Sequence, residues 1–189
     1  MPNWNFNQVT ISGTENTINA IMKKAMVDGK EGTFSMDNFY PTPKDKNGEP
    51  FSGWYGWRVD NWGTKWDINQ DSFSIVDEGY YSANRMFVEF GYNTAWGPNL
   101  EFWERLADEY EDFTISVRYC EEGNNFCGMK EWTDGNVTID DDYTLEREGA
   151  KDYEQCLRNL GFESEADYML EWMADEELEL AMEVTAVTA

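Results

Sequence analysis

The chain has 189 residues, 28% of them charged, 41% hydrophobic and 16% aromatic, and 38 acids against 14 bases give a formal net charge of −24. That length holds one sizeable domain, or one domain with an appendage, and the aromatic load argues against disorder because packed rings bury large areas. So negative a field opposes phosphate backbones and anionic lipid and favours basic surfaces, while the absence of histidine removes the usual zinc ligand and neutral-pH general base.

The charge is uneven: residues 1–100 hold 12 acids and 8 bases, whereas residues 101–189 hold 26 and 6. Cys120, Cys127 and Cys156 include no CxxC pair, which is the pattern of reduced thiols in a cytoplasmic protein. The opening Met1-Pro2-Asn3-Trp4 has neither a basic n-region nor an apolar h-region, so no signal peptide is expected. No apolar run is long enough to cross a bilayer, so no membrane association is expected either.

In chain order, Gln8–Ser12 alternates and closes on Gly13, the pattern of a first strand. Thr14 is placed to cap a helix carrying Ile18, Ile21, Met22, Ala25 and Met26 on one face, with Gly29 as its stop. Thr33–Phe39 reads as a second strand, halted by Pro41 and Pro43. Residues 44–84 read as an insertion. They hold Trp54, Trp57, Trp62 and Trp66, spaced by glycines that argue against a helix, with Arg58 and Lys65 as the only cations among those rings. Ser72–Val76 is a short strand candidate within it. Arg85–Tyr92 alternates as a strand, Leu100–Tyr110 carries a helical stripe, and Phe113–Tyr119 alternates again. A hairpin follows, Phe126–Trp132 and Asn136–Ile139, turned at Asp134-Gly135.

Strand–helix–strand, insertion, strand–helix–strand is the order of an α+β, ferredoxin-like split βαβ sandwich, with an antiparallel sheet and both helices on one face. The expected organisation is a domain over 1–139, containing the Trp-rich insertion and the extra β-hairpin, then an acidic extension over 140–189. That extension reads as a C-terminal helical pair, the first helix stopped by Gly161 and the second started by Ser164 with Asp167.

Several blocks carry a resemblance: Asn3-Trp4 with Asn7, Val9 and Gly13; Pro41-Thr42-Pro43; Trp57 through Asp67; Thr94-Ala95-Trp96-Gly97-Pro98; and Tyr119 through Gly123 with Phe126 and Gly128. Together they resemble the YubB/Api92 ferredoxin-like family of plasmids, bacteriophages and bacterial genomes, over roughly residues 1–139. The resemblance implies a ferredoxin-like fold and a mobile-element setting, foremost a bacteriophage. It implies no activity.

Three constellations compete for a functional role. The cluster Trp54, Trp57, Arg58, Trp62, Lys65 and Trp66 could stack on unpaired bases, but the net charge favours its packing against the sheet with a cation over a ring. Asp67, Asn69, Asp71 and Glu78 follow the spacing of a Ca²⁺ loop, yet Ser72 stands where the turn needs glycine, so a solvated loop is expected and no metal. Asp167, Glu171, Asp175, Glu179 and Glu183 form an i, i+4 ladder of acids, which weakens a helix by roughly 0.2–0.5 kcal/mol per pair. Local stability does not account for that ladder; a solvated face or a basic partner does. With no cofactor motif, no catalytic pairing and no phosphate loop, enzymatic activity is not expected. The resulting expectation is a cytoplasmic bacteriophage accessory protein whose acidic surface binds a host protein, as an inhibitor or nucleic-acid mimic aimed at a defence factor. The alternative is a single-strand nucleic-acid module using the tryptophans, and an oligomer built on the tail helices is the third option.

Overall fold

The computed structural model describes residues 3–121, 123–124, 126–144, 154, 157–158, 161–163 and 166. The strands are β1 (Trp4–Gly13), β2 (Ser74–Ser82), β3 (Arg85–Ala95), β4 (Thr114–Glu121), β5 (Phe126–Thr133) and β6 (Asn136–Thr144). The helices are α1 (Glu15–Ala25), α2 (Trp54–Trp62) and α3 (Leu100–Glu109). All strand pairs are antiparallel and the sheet order is β2-β3-β1-β4-β5-β6. The first four in that order, with α1 and α3, form the ferredoxin-like arrangement, and β5 and β6 extend the sheet beyond β4.

Each element follows from its residues. Thr14 caps α1 by accepting the Thr17 N–H at 3.2 Å, while Lys23 and Lys24 meet the negative end of the helix. Ile18, Ile21 and Ala25 turn inward from α1, and Phe102, Trp103, Leu106 and Ala107 from α3. They meet Val9 and Ile11 of β1, Val88, Phe90 and Tyr92 of β3, and Ile115 and Val117 of β4 in one core. Both helices therefore cover the same face of the sheet. Phe34 sits among Phe39, Phe73, Phe90, Phe102 and Trp103, all with ring centres within 6.0 Å. Each such ring pair contributes about 0.5–1.5 kcal/mol beyond its buried area.

The second strand of the fold is Ser74–Ser82, not Thr33–Phe39. Phe34, Ser35 and Met36 are all buried without alternation, and in place of a neighbouring strand the backbone of Phe34 and Met36 finds side chains and the Ser35 N–H the Ala25 carbonyl. Asp67 accepts the Met36 N–H at 2.8 Å and the Ser35 hydroxyl at 2.5 Å, and Gln70 exchanges two hydrogen bonds with Phe34. With these polar groups satisfied by side chains distant in sequence, the segment has no need of a ladder. The tryptophan-rich stretch is a second departure, because Trp54–Trp62 forms α2 despite Gly56. Gly63 closes that helix in the left-handed conformation, at φ 78°, with its N–H on the Val59 carbonyl. Residues 44–84 thus include both α2 and all of β2, itself a strand of the sheet.

The opposite face of the sheet is polar. Arg85 there donates to the Thr114 hydroxyl at 2.7 Å and to Ser12 at 3.2 Å, and Gln8 donates to Glu89. Toward one end it is covered, where Leu157, Phe162 and Ala166 pack with Cys120, Cys127 and Met129, and Phe162 meets Phe6 edge-on at 5.7 Å. Cys120 and Cys127 are buried, and Cys156 lies outside the described residues. So does most of the expected helical pair, whereas residues 140–144 belong to β6.

Candidate functional site: a tryptophan and lysine surface

The rings that sit together in the sequence divide into two groups in space. The first is structural. Trp62 is fully buried on α2 and donates its indole N–H to the Tyr40 carbonyl at 3.0 Å. The Arg58 guanidinium lies 4.8 Å from the Trp62 ring centre and 5.2 Å from that of Trp54. It also donates to the Thr42 hydroxyl at 3.0 Å and to the Lys65 carbonyl at 3.4 Å. Trp57 meets Trp62 edge-on at 5.8 Å. Arg58 thereby ties α2 to the Pro41-Thr42-Pro43 segment and to the turn that follows, as an internal clamp.

Lys65 and Trp66 face the other way. There they meet Trp96, just past β3, and Trp4, the first residue of β1, whose register pairs Trp4 with Ala95. Ring centres lie 6.3 Å apart for Trp4 and Trp66 and 6.2 Å apart for Trp66 and Trp96. The Lys65 ammonium stands 4.7 Å from the Trp66 ring centre and 4.8 Å from that of Trp96. Trp4 is 42% exposed, Trp66 36% and Trp96 44%, so each large ring keeps a substantial wet face.

The mounting is rigid. Trp96 has φ 69°, a left-handed backbone that a bulky residue adopts only when its surroundings impose it. Its N–H donates to the Asn3 carbonyl at 2.9 Å, Thr94 donates its hydroxyl to the Gly97 carbonyl at 2.7 Å, and Thr64 donates to the Ala95 carbonyl at 3.0 Å. Beneath, Asn5 and Asn7 are fully buried, and Asn7 donates its amide to the Thr94 hydroxyl at 2.9 Å. A left-handed backbone held by this buried polar network, in which the Asn5 Oδ1 has no partner, keeps the indole at the surface, and burial alone does not explain that cost.

The structure divides the expected cluster. Lys65 and Trp66 are at the surface, Trp54, Trp57, Arg58 and Trp62 form the clamp, and Trp4 and Trp96 were missed as partners. Both stand in blocks that carried the family resemblance, but nothing in their spacing joined them to residue 66. Asp67 of the Ca²⁺-like spacing spends its carboxylate on residues 35–37, Asn69 accepts the Asp71 N–H at 3.2 Å, and Glu78 lies in β2. Among the described residues no group of three or more acids or cysteines converges as for a metal. The ladder Asp167, Glu171, Asp175, Glu179 and Glu183 lies outside the described residues. Among the described residues no helix is long and apolar enough to cross a membrane.

Comparison with known proteins gives a family model described as the ferredoxin-like domain in Api92-like protein, matching residues 61–159. That range takes in Trp62, Lys65, Trp66 and Trp96. A crystal structure of a protein api92 from Yersinia pseudotuberculosis is similar at 16% identity and a TM-score of 0.34, over 49% of this chain. The similarity spans 30% of that protein's chain. No curated protein matches. With more than half of its length matched, the chain belongs to the Api92-like family and carries that family's ferredoxin-like domain.

Proposed function

We propose that this protein is a non-enzymatic binding protein, and that Trp4, Trp66 and Trp96 anchor its contact with a partner protein of basic surface. The observation that carries the reading is three adjoining, half-exposed indoles on a chain of net charge −24. Tryptophan is enriched among residues that dominate protein interfaces, because a stiff ring buries much area at little entropic cost. The net negative charge of the chain adds steering toward cationic partners and repels anionic ones. In the mobile-element setting that the family resemblance implies, a host protein that itself handles nucleic acid has the required basic face, and occupying that face would inhibit it. The acidic ladder of residues 167–183 would then add long-range attraction, with the indoles supplying the short-range contact.

The test is chemical cross-linking and mass spectrometry in host extract with the native chain and a Trp66→Ala, Trp96→Ala double variant. A basic partner that is cross-linked by the native chain, lost in the variant and weakened at high salt supports the reading. A partner set that the variant leaves unchanged defeats it. A second reading rests on the Lys65 ammonium among the rings, which would suit a stacked, single-stranded nucleic acid. Titration with a thymidine oligonucleotide at low salt separates the two, since that reading requires saturable quenching of the indole fluorescence.

A further inference from the structure

At the opposite end of β3 from the tryptophans, the sheet outruns its helical cover. α1 lies over β1 and β3, and β2 continues past it as an edge strand exposed along almost its whole length. The uncovered corner is a groove of about 390 Å³ lined by Asn19, Met22 and Met26 of α1 and its cap, Glu31–Thr33, Ile75 and Glu78 of β2, and Met86 and Val88 of β3. Its floor is apolar, with Val88 buried and Ile75 43% exposed. Glu31 and Glu78 stand exposed in its lining, which contains no lysine or arginine. Tyr80, on the same strand, hydrogen-bonds Glu15 at the start of α1, which adds another acid beside the groove.

We infer that this methionine-lined groove is a second docking site, and that its occupant is an amphipathic helix with apolar anchors flanked by lysine or arginine. Three features select that occupant. Asn19, Met22 and Met26 recur at i, i+3 and i+7, so one side of α1 lies open along the groove, and a helix laid there would complete the layer over β2. Methionines are unbranched and polarisable, so a floor with three of them can mould itself to a partner's side chains. The acidic rim rewards cationic flanks, and a second copy of this chain, itself at −24, carries the wrong charge. The site stands apart from the indole surface: Met86 and Ala95 lie at opposite ends of β3, about 30 Å apart at roughly 3.3 Å per residue.

The experiment uses the full chain with ¹³C-labelled methionine methyls, each assigned by a Met→Leu variant. The probe is a sixteen-residue helical peptide of leucine and lysine with its leucines on one face. The Met22, Met26 and Met86 methyl signals should shift saturably, with affinity at least tenfold weaker in a Glu31→Lys, Glu78→Lys variant. Both glutamates are exposed, so that variant keeps its fold. The Trp66→Ala, Trp96→Ala variant should bind the peptide as the native chain does, which separates this site from the indole surface. Unmoved methyls, equal affinity after charge reversal, or equal shifts with an all-lysine peptide would overturn the inference. Methyl shifts that follow protein concentration alone would identify a second copy as the occupant and overturn it too.

Discussion

Lys65 and Trp96 come from different parts of the chain, yet the ammonium of one stands 4.8 Å from the ring centre of the other. An exposed cation over a ring is worth about 0.5–1 kcal/mol. Lys65→Met should cost about that much in urea denaturation and alter the indole emission. Under the proposed function it should also strengthen binding of a basic partner severalfold, because the ring face is no longer occupied by the protein's own cation. A nucleic-acid ligand would instead bind more weakly.

Trp96 supplies a test of strain. Its left-handed φ of 69° suits glycine and penalises residues with a Cβ by roughly 1 kcal/mol. Trp96→Gly and Trp96→Ala both remove the ring, so loss of packing cancels between them. The glycine variant should be the more stable by about 1 kcal/mol in denaturant melts. Equal stability would mean that this turn holds no strain.

Asp67 fastens the segment expected to be a strand. Its carboxylate accepts the Met36 N–H at 2.8 Å, the Ser35 hydroxyl at 2.5 Å and its neighbour Ile68 N–H at 2.8 Å. Asp67→Ala leaves these donors to find water or go unmatched, for a loss of about 2–4 kcal/mol. Asp67→Asn retains one acceptor oxygen and should recover part of it. Denaturant midpoints of the two variants against the native chain measure both.

Tyr92 and Tyr119 should resist alkaline titration. Burial raises the Tyr92 phenol far above its ordinary value of 10.0, against the opposing pull of the Trp103 indole N–H that donates to it. Burial first, and then the nearby Asp142, raises Tyr119 in the same sense. A phenol whose folded pKa is raised binds its proton more tightly in the native state, so its contribution is complete below pH 10. That contribution falls as pH rises from there toward the folded pKa. Absorbance at the phenolate band should therefore gain the contributions of Tyr92 and Tyr119 only as the chain unfolds in alkali, and Tyr92→Phe should remove part of that late step.

The regular elements were legible in the sequence because their apolar residues recur with a clean period. β1, α1, β3, α3 and β4 each present one buried face, and periodicity finds a face. β2 was legible only at its start, since it lies at the sheet edge and its residues are nearly all exposed, leaving no alternation to detect. Thr33–Phe39 misled for the opposite reason: Phe34 and Met36 alternate with polar residues in the sequence, but Asp67 and Gln70 take the place of a neighbouring strand. Gly56 argued against a helix at Trp54–Trp62, and tertiary packing of Trp57 and Trp62 outweighed its cost of about 1 kcal/mol. The indole surface was half legible, because Lys65 and Trp66 are neighbours in the chain whereas Trp4 and Trp96 arrive through strand pairing.

That last fact bears on how the surface comes into being. Trp4 reaches its neighbours only after the first strand has zipped against the third, and Trp66 only after the α2 turn has locked beside them. No local segment, released by proteolysis or paused during synthesis, presents the three indoles side by side. A partner that needs all three is consequently blind to incomplete chains, and its recognition doubles as a check that the sheet has closed.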